Sequence, residues 1–271
     1  MPIEKYRLPS LLTRENAPLQ IYMFPCLQDN YCYLVRDRDS GLTGVIDTPE
    51  VAAIENALTE TGWTLDFILN THHHFDHAGG NLELKKITGC TVVGPKADEE
   101  RIPGIDIAVA EGDIFELGSS KAAIHDTPGH TRGHIVYHFE NDNEAFVGDT
   151  LFSMGCGRLF EGTPGQMWAS LQKIMRWPDE TRIYCAHEYT QTNARFALTV
   201  EPENQALIDR ATEVDRLREG GWPTIPTTIK LEKDTNPFLR PDSANIQATL
   251  ALKNASVVDV FAETRKRKDN F

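Results

Sequence analysis

Hydrophobic and polar positions divide this chain into two textures. Through the first two-thirds, short apolar runs of four to eight residues recur: "LQIYMFPC", "NYCYLVRD", "TGVIDT", "DFILNT", "TVVGP", "IDIAVA", "DIFELG", "AAIHDT", "HIVYHFE", "EAFVGD" and "RIYCAH". They are β-branched and aromatic, and turn signals such as "DRDSG", "EGD" and "LGSS" separate them, so the pattern predicts strands. Helical patterns interrupt the series. "PEVAAIENALTETG" carries an apolar i, i+3, i+4 face and a terminal glycine, and "GNLELKKITG" is a shorter version. "TPGQMWASLQKIMRWP" opens with a Thr-x-x-Gln capping box and Pro164 at the first helical position. Strands mixed with helices, at both hairpin and crossover spacings, predict an α/β fold of two mixed sheets covered by helices. Past about Tyr189 the runs read as helices ("TQTNARFALTVEP", "ENQALIDRATEVDRLREGG", "SANIQATLALKN", "SVVDVFAETRKRKDNF"), and only "TTIKLE" looks extended. The pattern thus predicts a domain over residues 1–189 and a smaller α-helical domain over residues 190–271.

The bulk properties narrow the function. No apolar run approaches the length of a membrane span. The N-terminus, "MPIEKYRLPSLLTRENAPLQ", lacks a signal-peptide core and carries acids, so the expected location is the cytoplasm. Five cysteines without a C-x-x-C pair suit a reducing compartment. A net charge of −13 argues against nucleic acid or an anionic membrane as partner. The expected partner is a small molecule and the expected state a monomer.

The densest chemistry lies in "THHHFDHAGG", where four histidines and an aspartate follow an apolar strand. His72 and His74 are two apart in extended chain and share a side, which leaves His73 pointing the other way. Asp76 and His77 follow as the chain turns into a helix. His72 with His74 can serve one metal ion and Asp76 with His77 a neighbour. A divalent site needs about four donors, one of which can be water. The rest of the chain offers His130, Asp149 and His187, each on a loop after a strand and beside small residues. Asp149 belongs to neither pair, and a carboxylate can bridge two ions. His125 and His138 read as ordinary, and His134 as an orienting neighbour of a ligand.

His72-x-His74-x-Asp76-His77, followed by His130, Asp149 and His187, resembles the metallo-β-lactamase superfamily, in that family's order. The resemblance implies an αββα sandwich with two divalent ions per chain, Zn first among them, with Fe or Mn also permitted by the donors. It implies one ion on His72, His74, His130 and Asp149, and a second on Asp76, His77, His187 and Asp149. Asp76 and Asp149 are then the catalytic carboxylates that orient the nucleophile.

The flanking segments "FPCLQDNYCYLV", "GDTLFSMGCGRLFEGTPGQM", "CAHEYTQTNARFAL", "NPFLR" and "TRKRKDNF" look like those of the glyoxalase II family, the hydroxyacylglutathione hydrolases. That resemblance covers nearly the whole chain and implies hydrolysis of S-D-lactoylglutathione to D-lactate and glutathione, the second step of methylglyoxal detoxification, by a hydroxide held between the two metal ions. Its glutathione contacts carry over to Arg158, Tyr189, Arg265 and Lys268, with Phe160 where some members have Tyr. The basic tail has two readings: helix-end charges that favour the dipole, expected for Lys266 and Arg267, or an anion site in an acidic protein, expected for Arg265 and Lys268. The rival readings are another enzyme of the same fold, such as a glutathione persulfide dioxygenase or a lactonase, and a non-catalytic metal-binding module. No ligand position has been lost, as such a module would be expected to show.

Overall fold

The computed structural model describes residues 11–14 and 17–271. Its contacts gather into two compact units: Met1–Asp126 with Arg132–Gly148, and Thr127–Thr131 with Asp149–Phe271.

The first unit carries β1 (Leu19–Cys26), β2 (Asn30–Asp37), β3 (Thr43–Ile46), α1 (Val51–Thr61), β4 (Phe67–Leu69), α2 (Phe75–Ala78), α3 (Asn81–Thr88), β5 (Thr91–Pro95), β6 (Ile107–Val109), β7 (Ile114–Leu117), β8 (Ser120–Asp126), β9 (Ile135–Phe139) and β10 (Glu144–Gly148). Strands β1 to β6 form one sheet in sequence order. Its first three strands pair antiparallel and the remainder parallel. The parallel half needs crossovers, which α1 and α3 supply. α1 stops at Gly62, whose φ of 69° provides the left-handed cap that the terminal glycine predicts. Strands β7 to β10 form an antiparallel meander. Tyr33 meets Phe146 with ring centroids 5.3 Å apart, and Phe67 meets Phe115 at 5.2 Å, so the two sheets interdigitate through aromatic pairs. The opposite face of the first sheet buries Phe24, Leu34, Val45 and Ile68 against Ile54 and Ala57 of α1 and Leu84 of α3. Strands covered on both faces read as continuous apolar runs, which is the pattern of β2 and β3.

The second unit carries β11 (Leu151–Phe152), β12 (Gly155–Cys156), α4 (Pro164–Ile174), β13 (Arg182–Cys185), α5 (Thr190–Val200), α6 (Gln205–Glu219), β14 (Thr227–Thr228), α7 (Ile229–Thr235), α8 (Ala244–Thr249) and α9 (Val257–Asp269). α4 has the predicted capping box, with Thr163 and Gln166 satisfying each other's backbone and Pro164 in the first turn. α5 and α6 pack through Ala194, Ala197, Leu207, Ala211 and Val214. The expectation of an extended "TTIKLE" fails after two residues. Thr228 accepts a hydrogen bond from the Leu231 N–H as an N-cap, and helix α7 follows. The β-branched Thr-Thr-Ile run suggested a strand. The cap and the helix-forming residues behind it decide otherwise. No helix among the described residues is long and apolar enough to cross a membrane.

One buried carboxylate ties the two sheets of the first unit together. Asp37, at the end of β2, accepts hydrogen bonds from the Ser119 and Ser120 hydroxyls and the Ser120 N–H beside β8, and from the N–H and hydroxyl of Ser40. Burial alone would raise its pKa, but the serine hydrogen bonds together hold it well below the usual carboxylate range. Asp37→Ala leaves the buried Ser120 N–H and hydroxyl unmatched, while exposed Ser40 and Ser119 can turn to water, and should destabilise the fold by roughly 1–3 kcal/mol. A folded-state pKa below the unfolded value gives stability that is present above about pH 4 and lost as pH falls toward the folded value. Urea midpoints of wild type and variant, well separated at pH 7, should therefore converge below pH 4.

Candidate metal centre

In the first unit, β4 ends at Leu69 and delivers Thr71 and His72 into buried loop positions, while His74 N-caps the short helix α2, which carries Asp76 and His77. The His72 Nε2 and His74 Nδ1 atoms lie 3.0 Å apart. The His72 ring sits 4.0 Å from that of His77, and Asp76 Oδ2 is 3.6 Å from His77 Nε2. The Asn30 side chain donates to Asp76 Oδ2 over 3.3 Å. His134 stacks on His72 at 4.8 Å with 25° between the rings, beside a ligand candidate as its sequence reading expects. His73 turns away to Asp98 (2.8 Å) and Arg101 (3.1 Å), also as expected.

Asp47 organises this set, and sequence reasoning missed it. Its Oδ1 accepts the Thr71 N–H at 2.8 Å. Its Oδ2 accepts both the Thr71 hydroxyl and the His77 Nδ1–H, each at 2.8 Å. With its own proton given to Asp47, Thr71 Oγ1 accepts from His72 Nδ1 at 3.1 Å. Asp47 thereby fixes two tautomers, His77 directly and His72 through Thr71, and leaves the Nε2 lone pair of each ring available. The signal was present in "VIDT", an aspartate at a strand end followed by threonine, the same pair as in "VGDT" around Asp149. Gly148 permits the crowding here. Its φ is 47°, and a Cβ there would stand 2.6 Å from Thr71 Oγ1 and 2.8 Å from His134 Nε2.

The second unit brings its own three candidates together. Asp149 Oδ2 lies 3.3 Å from His130 Nε2, and Asp149 Oδ1 lies 3.4 Å from His187 Nε2, with all three residues buried. His130 Nδ1 donates to the Arg158 carbonyl at 2.8 Å, so its Nε2 presents a lone pair to a carboxylate oxygen. Two lone pairs at that distance repel unless a proton or a cation lies between them. A tetrahedral ion with imidazole bonds of 2.0–2.1 Å separates neighbouring donors by roughly 3.3 Å, which the spacings within each unit match. The donor sets therefore fit a divalent ion. Gly157 allows the close approach, since a Cβ there would fall 2.0 Å from the Asp149 carbonyl.

The remaining candidates also lie in the second unit. The Tyr189 ring stacks on His187 at 4.8 Å with 1° between the planes, and the exposed Phe160 ring meets His130 edge-on at 5.2 Å. The Arg158 side chain is 3.7 Å from Asp269. Arg265 is buried. It donates to the Cys156 carbonyl at 2.8 Å, pairs with Asp269 at 2.9 Å and lies over the Phe238 ring. Lys268 lies over Phe196 and Phe271. Burial, then the positive charges of Arg265 and Arg158, push the Lys268 pKa down to about 8. Lys266 and Arg267 pair with Glu263 on their own helix. Cys185 is buried, and burial pushes its thiol far above the range of a nucleophilic thiolate.

Comparison with known proteins names the class first. Residues 28–187 match the metallo-β-lactamase superfamily model. A solved metallo-β-lactamase from Staphylococcus aureus superposes with a TM-score of 0.63 at 20% identity, covering 94% of this chain and 72% of that one. The fold is that of this superfamily, followed by a helical region, and with the His/Asp clusters it implies divalent metal binding. Residues 188–271 match the hydroxyacylglutathione hydrolase C-terminus. The hydroxyacylglutathione hydrolase of Maricaulis maris is 55% identical over 255 residues, 94% of this chain and all of its own. That of Methylococcus capsulatus is 53% identical over 93% of this chain and 99% of its own. The chain belongs to the hydroxyacylglutathione hydrolase family, within the metallo-β-lactamase superfamily.

Removing the carboxylate that sets the tautomers should weaken the metal centre while leaving the candidate ligands in place. Asp47→Ala is expected to lower metal affinity by roughly 10–100-fold, read as the chelator concentration that strips half the metal. His73→Ala, which removes a histidine turned toward Asp98, should leave that concentration unchanged.

Proposed function

We propose that this chain is a metal-dependent thioester hydrolase that cleaves S-D-lactoylglutathione and related 2-hydroxyacylglutathiones to the 2-hydroxy acid and glutathione. The observation that carries the reading is a juxtaposition inside the second unit. Tyr189 stacks on His187, Phe160 meets His130, and Arg158 accepts the His130 proton through its carbonyl while its side chain reaches toward Asp269, beside Arg265. Donors suited to a metal thus adjoin cationic and aromatic groups suited to a peptide-like dicarboxylate.

In this reading His72, His74, His130 and Asp149 hold one ion and Asp76, His77, His187 and Asp149 a second, with Zn as the metal and Fe or Mn as its substitutes. The two oxygens of Asp149, each turned to a different histidine, support a bridging role. When bound, such ions supply a Lewis acid for the thioester carbonyl and lower the pKa of a water to about 7. The chain's own residues do the rest. Asp76 and Asp149 orient the nucleophile, and His130 is kept in one tautomer by the Arg158 carbonyl. Arg158, Phe160, Tyr189, Arg265 and Lys268 hold the glutathione portion. Arg265, bonded to Cys156 and Asp269, fixes the loop that carries Arg158 and adds positive charge. The leaving thiolate is stable enough to depart without a strong general acid. Residues 1–189 form the catalytic domain and residues 190–271 the glutathione-binding domain, an organisation supported by two family matches that meet between residues 187 and 188. Five free cysteines support a cytoplasmic location, and we take the working state as a monomer.

Purified protein should hydrolyse S-D-lactoylglutathione, followed by loss of thioester absorbance, and elemental analysis should find two transition-metal ions per chain. Asp149→Ala should lower kcat by roughly 100-fold or more together with metal content, and Cys185→Ala should change neither. A fully metal-loaded protein that leaves this thioester intact would sink the assignment, and full activity with a single ion would move it toward a mononuclear enzyme.

The Lys268 contact has its own pH signature. At pH 7 its ammonium is largely charged, and it is neutralised as pH rises through about 8. If it receives a glutathione carboxylate, KM should rise between pH 7 and pH 9. In Lys268→Met, KM should start higher and stay flat over that interval. A parallel rise in both proteins would assign the titration to another group.

A further inference from the structure

A second cluster of metal-type donors sits in the first unit, made of residues that belong to neither donor set above. In the β8–β9 pairing Ala123 faces His138 and His125 faces Val136, so His125 and His138 are diagonal neighbours on the same face. Their ring centroids are 6.0 Å apart. Glu140 follows two residues after His138, on the short turn Glu140–Asp142 that closes β9 onto β10. That turn is completed by Asn143 in the left-handed region, with φ of 53°. The carboxylate Oε1 of Glu140 thereby comes back to 3.9 Å from His138 Nδ1. One ligating atom from each of His125, His138 and Glu140 falls within 4.8 Å of the others.

We propose that His125, His138 and Glu140 bind one borderline divalent transition-metal ion, Zn²⁺, Ni²⁺ or Cu²⁺, at a site additional to the centre assigned to hydrolysis. Two imidazoles and one carboxylate match these ions and disfavour Mg²⁺ and Ca²⁺, which take oxygen shells. The donors, within 4.8 Å of one another, need to close by up to roughly 1.5 Å to reach the roughly 3.3 Å spacing around a tetrahedral ion. Glu140 is free to close its own 3.9 Å distance to His138, since its side chain is 64% exposed while that of His138 is 3% exposed. A second carboxylate, Glu111, lies 3.6 Å from His125 Nδ1 and accepts the Asp126 N–H at 2.9 Å through its other oxygen. It is placed to orient the His125 ring, leaving Nε2 for the ion. Binding here would pin the β9–β10 turn to β8 and stabilise the folded chain by mass action.

The experiment uses holoenzyme whose zinc content has been measured and saturated at the hydrolytic centre. Calorimetric titration with further Zn²⁺ should show one additional equivalent and a rise in Tm, and Mg²⁺ should show neither. The double variant His125→Asn with Glu140→Gln should bind that equivalent at least tenfold more weakly while hydrolysing lactoylglutathione at the wild-type rate in the absence of added metal. In the wild-type protein, ring-nitrogen NMR signals of His125 and His138 should shift as the equivalent is added, which tests the site without relying on a variant. No additional equivalent, an unchanged equivalent in the double variant, or shifts confined to other histidines would each overturn the proposal.

Discussion

The chemistry in the first unit depends on which ring nitrogen of each histidine carries its proton, and one carboxylate decides it. A neutral imidazole has one donor and one acceptor, and it ligates a cation only through the acceptor. Asp47 takes the Nδ1 proton of His77 directly and, through the Thr71 hydroxyl, orders that of His72. It is buried, so these hydrogen bonds face little competition from water. Its backbone occupies the left-handed region with φ of 58°, a conformation that aspartate tolerates better than most side chains. Without this anchor His72 and His77 could rotate and exchange tautomers, and neither would offer a defined donor atom. The second unit solves the same problem with a backbone oxygen, the Arg158 carbonyl, which holds the His130 proton.

Periodicity, turn chemistry and capping made most of the fold legible, because each of those signals is local. The Gly62 cap and the Thr163–Gln166 box lie where the sequence places them. So do His72, His74, His130, Asp149 and His187 after their strands, and Asp76 with His77 where the chain turns into a helix. What escaped was non-local or competitive. Asp47 reads as an ordinary loop aspartate until the fold sets Thr71 and His77 against it, 24 and 30 residues on. The "TTIKLE" run carries a strand signal and a helix-cap signal in the same residues, and only the geometry of Thr228 decides between them. The burial of Arg265 was equally hidden, because nothing in "TRKRKDNF" separates a base that faces Cys156 from one that faces solvent.

That last distinction bears on how an acidic protein can attract an acidic ligand. With a net charge of −13, the long-range field opposes an anion, so attraction has to come from charges placed closer than the screening length of roughly 8–10 Å. Helix α9 sorts its four consecutive basic residues by face. Lys266 and Arg267 pair with Glu263 and cancel locally. Arg265 is drawn inward onto the Cys156 carbonyl, Phe238 and Asp269. Lys268 is half-buried over two aromatic rings, with Arg265 and Arg158 near enough to lower its pKa.

Burial is the first cause of the lowered Lys268 pKa, and the nearby charges of Arg265 and Arg158 add to it, with Asp269 opposing them. A carboxylate placed beside Lys268 would favour its charged form against both burial and the neighbouring cations, and by linkage would raise its pKa. A single exposed lysine in this chain would be screened by solvent and outweighed by surrounding acids. Three cationic groups around one aspartate, partly withdrawn from water, keep a local positive potential that the overall charge does not erase.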